Sequence, residues 1–174
     1  SVMFQCWAAQ AAMYYYYGID KKILPHKISG IFKHHVIHRR TPLVRGFDDV
    51  FFAPHSRHTE VSLEEIKACE DITVLAESDE AGFFLGMAEN GGKIFVQGHP
   101  EYDRMTLDAE YRRDTAKNMD IAPPLHYYEN DNPNNKPLLL WRSHSINLYT
   151  NWLNYYVYQT TPYNLLRTPD IFQD

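Results

Sequence analysis

Val2-Met3-Phe4-Gln5-Cys6-Trp7-Ala8-Ala9-Gln10-Ala11-Ala12 is the stretch on which the reading of the whole chain turns. The apolar run Val2 to Gln5 stops at Cys6 and gives way at once to a helix-favouring segment, Trp7 to Tyr17, which Gly18 closes. The pattern is strand, sharp turn, helix, with a cysteine on the turn. A thiol held there stands above the carboxyl edge of a sheet, and a helix N-terminus favours thiolate over thiol. The backbone N–H of Trp7 would face an oxyanion forming on a bound carbonyl. Taken alone, a cysteine at the end of an apolar run is more often a buried core thiol, so a catalytic reading requires a base.

His99 supplies one. It follows the apolar run Ile94 to Gln97 and so stands at the carboxyl end of a strand, where α/β folds build their sites. Glu101 lies two residues on, the spacing at which extended residues project to the same side, so its carboxylate can fix the imidazole tautomer and stabilise the imidazolium. A lone His-x-Glu is ordinarily a loop. With Cys6 at a second strand end it becomes a candidate triad of nucleophile, base and orienting carboxylate.

Further along, strands are predicted at Leu43-Phe47, Val50-Ala53 and Ile72-Ala76. Ser62 and Glu65 form a capping box, which predicts a short helix over Leu63 to Cys69. Gly82-Met87 and Lys93-Gln97 flank Glu89-Asn90-Gly91-Gly92 and should pair as a hairpin. Asp103 to Lys117 reads as a helix ending before Pro123-Pro124, Glu129 to Pro137 as a loop, and Ser145 to Tyr158 as a last helix. Its aromatic stripe, Tyr149, Trp152, Leu153, Tyr156 and Val157, is expected to be core. Strands interleaved with helices indicate an α/β sheet between helical layers, in one domain over residues 1-174.

The composition removes several function classes. The net charge of -5, from 17 basic and 22 acidic residues, provides no broad cationic surface, so nucleic acid is not an expected partner. No run approaches the ~20 apolar residues needed to cross a bilayer. Two cysteines, Cys6 and Cys69, make no disulfide framework, and a cytoplasmic setting is expected. Cys69 reads as structural. His34, His35 and His38, with His55 and His58, invite a metal reading, yet they lack the Cys or carboxylate partners that zinc sites usually add, and no metal is expected.

The words of the sequence narrow the class. Cys6-Trp7-Ala8-Ala9-Gln10-Ala11-Ala12, Arg45-Gly46-Phe47-Asp48-Asp49, Ala53-Pro54-His55-Ser56-Arg57-His58-Thr59, Val74-Leu75-Ala76-Glu77-Ser78, Gly98-His99-Pro100-Glu101-Tyr102-Asp103, Trp141-Arg142-Ser143-His144 and Asn151-Trp152-Leu153-Asn154-Tyr155-Tyr156-Val157-Tyr158-Gln159 resemble, in this order, the homoserine O-acyltransferases of the MetA type. The resemblance implies a class I glutamine amidotransferase-like, flavodoxin-like sheet with flanking helices. It further implies transfer of an acyl group from succinyl-CoA or acetyl-CoA to the hydroxyl of L-homoserine, as the entry to methionine biosynthesis. Cys6 would carry the acyl group, His99 would act as base and Glu101 would orient it. No resident cofactor is implied; acyl-CoA is a co-substrate. By the same resemblance Arg113 matches the residue that holds the homoserine carboxylate, Glu110 sits one helical turn before it, and Lys27 and Ser56 match positions near the substrate. The resemblance also suggests a homodimer.

Two departures accompany the likeness. Ala8 stands where members of that family commonly have glycine, and the chain starts at the nucleophile strand, whereas those proteins carry earlier strands of the sheet. The expectation is a chain without those N-terminal strands, inactive or poorly folded alone. The alternative reading is a glutamine amidotransferase-like hydrolase using the same Cys, His and Glu.

Overall fold

The computed structural model describes residues 1-162. Ten elements follow one another: β1 (Val2–Gln5), α1 (Trp7–Tyr17), β2 (Lys21–Val36), β3 (Val50–Val61), α2 (Leu63–Ala68), β4 (Thr73–Ser78), β5 (Gly82–Ala88), β6 (Lys93–Val96), α3 (Thr106–Ala116) and α4 (Arg142–Asn151). Among the described residues the strands make one sheet in the order β1-β6-β5-β4-β2-β3. β1 runs parallel to β6, with Gln5 opposite Val96, while β6 with β5, β5 with β4, β4 with β2 and β2 with β3 are antiparallel. The single-domain expectation over 1-174 thus reaches, in its last twelve positions, outside the described residues.

Each face of the sheet buries a separate cluster. Ile94 and Val96 of β6 point one way, into Leu75, Leu85 and Phe84, and are covered by Leu148 of α4 and by Tyr156. Phe95 points the other way, into Ala9, Ala12 and Met13 of α1 and Ile66 of α2. This is the period-2 alternation of a strand covered by helices on both sides. A third cluster, Ile31, Leu107, Tyr127, Tyr128 and Trp141, packs α3 against the edge of β2.

Several sequence expectations hold. β1, α1 with Gly18 as its left-handed cap, and α2 with the Ser62 side chain accepting from Glu65 N are all present. β5 and β6 form the expected hairpin, with Asn90 and Gly91 at positive φ in the turn.

Two expectations are corrected, and one strand stands where none is predicted. Leu43-Phe47 is not a strand: Pro42–Val44 forms a 3-10 turn, and the Asn151 amide donates to the carbonyls of Leu43 (3.0 Å) and Arg45 (2.8 Å). A side chain thereby satisfies acceptors that a ladder would have used, while Leu43 and Val44 are buried all the same. Residues 27-36, for which no strand is predicted, are the inner part of a 16-residue strand, β2. Lys33 faces solvent while Phe32 and His34 are buried, an alternation masked in the sequence by histidines at core positions. The last helix runs Arg142–Asn151 and continues as a π-helical segment, Trp152–Tyr158. The widened turn breaks the stripe: Tyr156 is buried and Trp152 partly so, but Leu153 is exposed.

Candidate active site

Cys6 sits between β1 and α1 with φ 50° and ψ -116°, a conformation that costs a non-glycine residue ~1–3 kcal/mol. The surroundings impose it. Cys6 N donates to Val96 O (2.7 Å), which extends the β1/β6 ladder to the turn, and Cys6 O accepts from Gln10 N (3.2 Å), which starts the helix. Gln10 is itself buried and clamped to β3, its Nε2 donating to Thr59 O (3.0 Å) and its Oε1 accepting from Thr59 Oγ1 (2.7 Å). Strand and helix are both fixed, so the residue between them carries the strain. Trp7 is the first residue of α1; its backbone N–H belongs to the unpaired first turn of a helix, and its indole is exposed.

His99 follows β6 and is tied to β3 by its backbone N–H, which donates to Pro54 O (2.8 Å). Gly98 allows that approach, since a Cβ there would lie 2.8 Å from the Phe84 ring, 2.9 Å from Pro54 O and 3.1 Å from His55 Nε2. His99 Nδ1 donates to Glu101 Oε1 (2.7 Å), and the ring stacks on Tyr102 with centroids 4.3 Å apart. Burial opposes a charge on this imidazole, but the Cys6 and Glu101 side chains beside it outweigh that, pushing His99 up to about 9. Cys6, His99 and Glu101 are therefore one electrostatic unit.

A polar cluster adjoins that unit from α3. Glu110 accepts from Tyr102 Oη (2.7 Å) and Ser56 Oγ (2.5 Å), and Lys27 Nζ stands 3.6 Å from it. Burial raises Glu110, yet those partners hold it below the usual carboxylate range. Lys27 also pairs with Asp114 (3.3 Å), whose other oxygen accepts from Arg113 Nε (2.8 Å). Arg113, with Lys27 behind it, brings Asp114 down to about 2. Arg113 therefore reaches the cluster through Asp114, and its side chain is more than half exposed at 57%. Beside Lys27, Pro25, His58, Asp120 and Pro123 border a cleft of about 450 Å³. Four strands, a loop and a helix thus bring Cys6, Lys27, Ser56, His99, Glu101 and Glu110 to one place. Gln5, Tyr102, Asp114 and Tyr149 belong with them and carry no motif of their own in the sequence.

The histidines read as a possible metal cluster are distributed otherwise. His34 and His55 are fully buried on neighbouring strands, joined Nε2 to Nε2 at 2.9 Å, and His55 Nδ1 meets Arg57 Nη1 at 2.6 Å. Burial holds His34 at about 3 and His55 well below its ordinary value, so both are neutral. His35 points the other way, toward Asp79.

Residues 1-163 match the sequence profile that describes homoserine O-succinyltransferases. The chain belongs to the homoserine O-succinyltransferase family. A homoserine O-acetyltransferase of Lachnospira eligens is 58% identical over 165 residues, which cover 95% of this chain and 53% of that protein. A homoserine O-succinyltransferase of Shewanella loihica is 50% identical over 165 residues, covering 95% of this chain and 51% of that protein. The chain spans about half the length of the curated relatives it matches. Among solved structures, a glutamine amidotransferase of Methylobacillus flagellatus aligns with a TM-score of 0.57 at 13% identity, over 87% of this chain and 61% of that one. At that identity the likeness concerns the fold, and it agrees with the α/β, class I glutamine amidotransferase-like sheet expected of this family. No helix among the described residues is long and apolar enough to cross a membrane.

Proposed function

We propose that this family member performs homoserine O-acyl transfer through a Cys6 acyl-enzyme, with succinyl-CoA or acetyl-CoA as donor. The observation that carries the reading is a strained strand-to-helix turn that ties Cys6 to the end of β6, just before His99 and its 2.7 Å bond to Glu101. In the first half-reaction the Cys6 sulfur attacks the thioester carbonyl of acyl-CoA. The tetrahedral oxyanion is received by the Trp7 N–H, the C–S bond to coenzyme A breaks, and His99 supplies the proton the departing thiolate takes up. In the second, the homoserine hydroxyl gives its proton to His99 and its oxygen attacks the acyl-Cys6 carbonyl. The Cys6 thiolate leaves and O-acylhomoserine departs. Glu101 holds His99 in the tautomer both steps need.

The α3 cluster suits the acceptor. Homoserine is a zwitterion, and Arg113, Glu110 and Lys27 offer opposite charges within one helical turn and one neighbouring strand. Arg113 would take the carboxylate, with Glu110 and Ser56 facing the ammonium end. The protein is further proposed to act in the cytoplasm, to work in methionine biosynthesis and to form a homodimer.

Coenzyme A release, followed with a thiol dye, tests the reaction: succinyl-CoA and acetyl-CoA are offered with and without L-homoserine. Homoserine-dependent release that is lost in Cys6→Ala and His99→Ala supports transfer. Ammonia release from glutamine, with no homoserine dependence, would support the hydrolase reading instead.

A further inference from the structure

Glu101 has two carboxylate oxygens, and only Oε1 is used on His99. Its Oε2 accepts from the Gln5 side-chain amide, and Gln5 Oε1 accepts in turn from Tyr149 Oη at 3.1 Å. These contacts join residues far apart in the chain: Gln5 ends β1 immediately before Cys6, and Tyr149 lies on α4. The amide has one orientation consistent with both neighbours. A carboxylate only accepts, so the NH₂ must face Glu101, and the carbonyl is then left to a phenol that can donate. Tyr149 stays a donor throughout the working range, because burial first and then the Glu101 charge push it well above the ordinary phenol value.

We propose that Gln5 and Tyr149 are positioning residues that hold the Glu101 carboxylate square to His99, extending the catalytic unit from Cys6 to α4. The proposal rests on the acyl-transfer reading of Cys6, His99 and Glu101. Its physical basis is that a carboxylate held at one oxygen alone can rotate about its last side-chain bond and lose the imidazole. A charge-assisted bond at the second oxygen removes that freedom. Gln5 shares a strand end with the nucleophile, so the same register that places Cys6 against Val96 also places the support for Glu101. The other face of the support is α4, which packs on the sheet through Leu148.

The test uses full-length protein in three variants, Gln5→Leu, Gln5→Glu and Tyr149→Phe, with Glu101→Gln as reference. His99 is titrated by NMR of ring-labelled histidine, and steady-state transfer to homoserine is measured across pH. Gln5→Leu is expected to lower the His99 midpoint by ~0.5–1 unit and kcat by ~10-fold with KM little changed. Tyr149→Phe is isosteric, removes only the hydroxyl, and is expected to lower kcat by ~3-fold in the same direction. Gln5→Glu sets two carboxylates together, so its kcat deficit exceeds that of Gln5→Leu at neutral pH and shrinks below pH ~6 as the pair takes up a proton. Parent-like His99 titration and kcat in both Gln5→Leu and Tyr149→Phe would overturn the proposal. If Glu101→Gln also leaves the His99 midpoint and the rate unchanged, the acyl-transfer reading of the triad fails with it. Should Gln5→Leu prove unstable, Tyr149→Phe alone decides.

Discussion

The proton on His99 couples the candidate site to the stability of the fold, and His99→Gln measures the coupling. In the unfolded chain an imidazole titrates near ~6.5, whereas in the folded chain Cys6 and Glu101 hold it at about 9 despite burial. The folded state therefore binds a proton that the unfolded state has released between those values. The stabilisation from this proton is complete below pH ~6.5 and disappears as pH rises through about 9. The whole shift corresponds to a ceiling of ~3 kcal/mol at ~1.4 kcal/mol per unit. Residual solvent at the ring and the acid strength of its partners reduce this to ~2 kcal/mol. Urea unfolding of the parent and of His99→Gln at pH 6, 7.5 and 9.5 reads it directly. The glutamine keeps a donor toward Glu101 but cannot charge. The gap between the two proteins should be largest at pH 6, at ~2 kcal/mol, and close by pH 9.5, with the slope on urea unchanged. A gap constant across this range would refute the claim that His99 is held protonated by its two neighbours.

Three other substitutions probe separate parts of the structure. Gly91→Ala should destabilise by ~2–4 kcal/mol in urea unfolding, because φ is +89° and the new methyl would lie 2.1 Å from two carbons of the Tyr156 ring; a loss under ~1 kcal/mol would contradict the packing of the Trp152–Tyr158 segment on the hairpin turn. Gly98→Ala should lower kcat by ~10–100-fold while the protein stays folded, since a Cβ pressed on Phe84, Pro54 O and His55 displaces the residue next to the base; unaltered turnover would show that His99 tolerates movement. Asp114→Asn leaves Lys27 and Arg113 without their shared carboxylate. Because Asp114 is held at about 2, chiefly by Arg113, its contribution is complete above pH ~4 and is lost as pH falls through about 2. The variant's stability deficit should therefore be larger at pH 6 than at pH 3.5, and its KM for homoserine should rise more than kcat falls.

The fold was legible wherever local chemistry and tertiary packing agreed. The Asn90-Gly91 turn, the Ser62 cap and the apolar runs at β1 and β6 each state their structure within a few residues, and the hairpin and α1 follow. β2 was missed because its pattern is written in residues that carry other meanings. His34 occupies a core position as a neutral ring, its Nε2 paired with His55 Nε2 on β3. Leu43 and Val44 misled in the opposite sense: they are as apolar as a strand requires, but the carbonyls of Leu43 and Arg45 belong to Asn151, more than a hundred residues away. No window of sequence contains that acceptor and that donor together.

The site divides along the same line, and the division is chemical. The residues proposed to react, Cys6, His99 and Glu101, announce themselves by type and by position at strand ends, whereas Arg113 stands out only through the family resemblance. Residues that hold them do not. Tyr149 looked like one more aromatic of a core stripe, and Gln5 like the polar end of a strand. What sets them apart is a contact spanning 144 positions, visible only when β1 and α4 are brought together. Cys6 shows why such support is needed. Its strained backbone persists because the β1/β6 ladder and the Gln10 clamp leave it no alternative, and a residue fixed that firmly is of use only if its partner is fixed as well. His99 follows a strand end, with a freer backbone, and is held by what surrounds it: Pro54 at its amide, Tyr102 at its face and Glu101 at its edge. Of these only Glu101 is an exposed side chain, so the precision of the pair depends on whatever steadies that carboxylate.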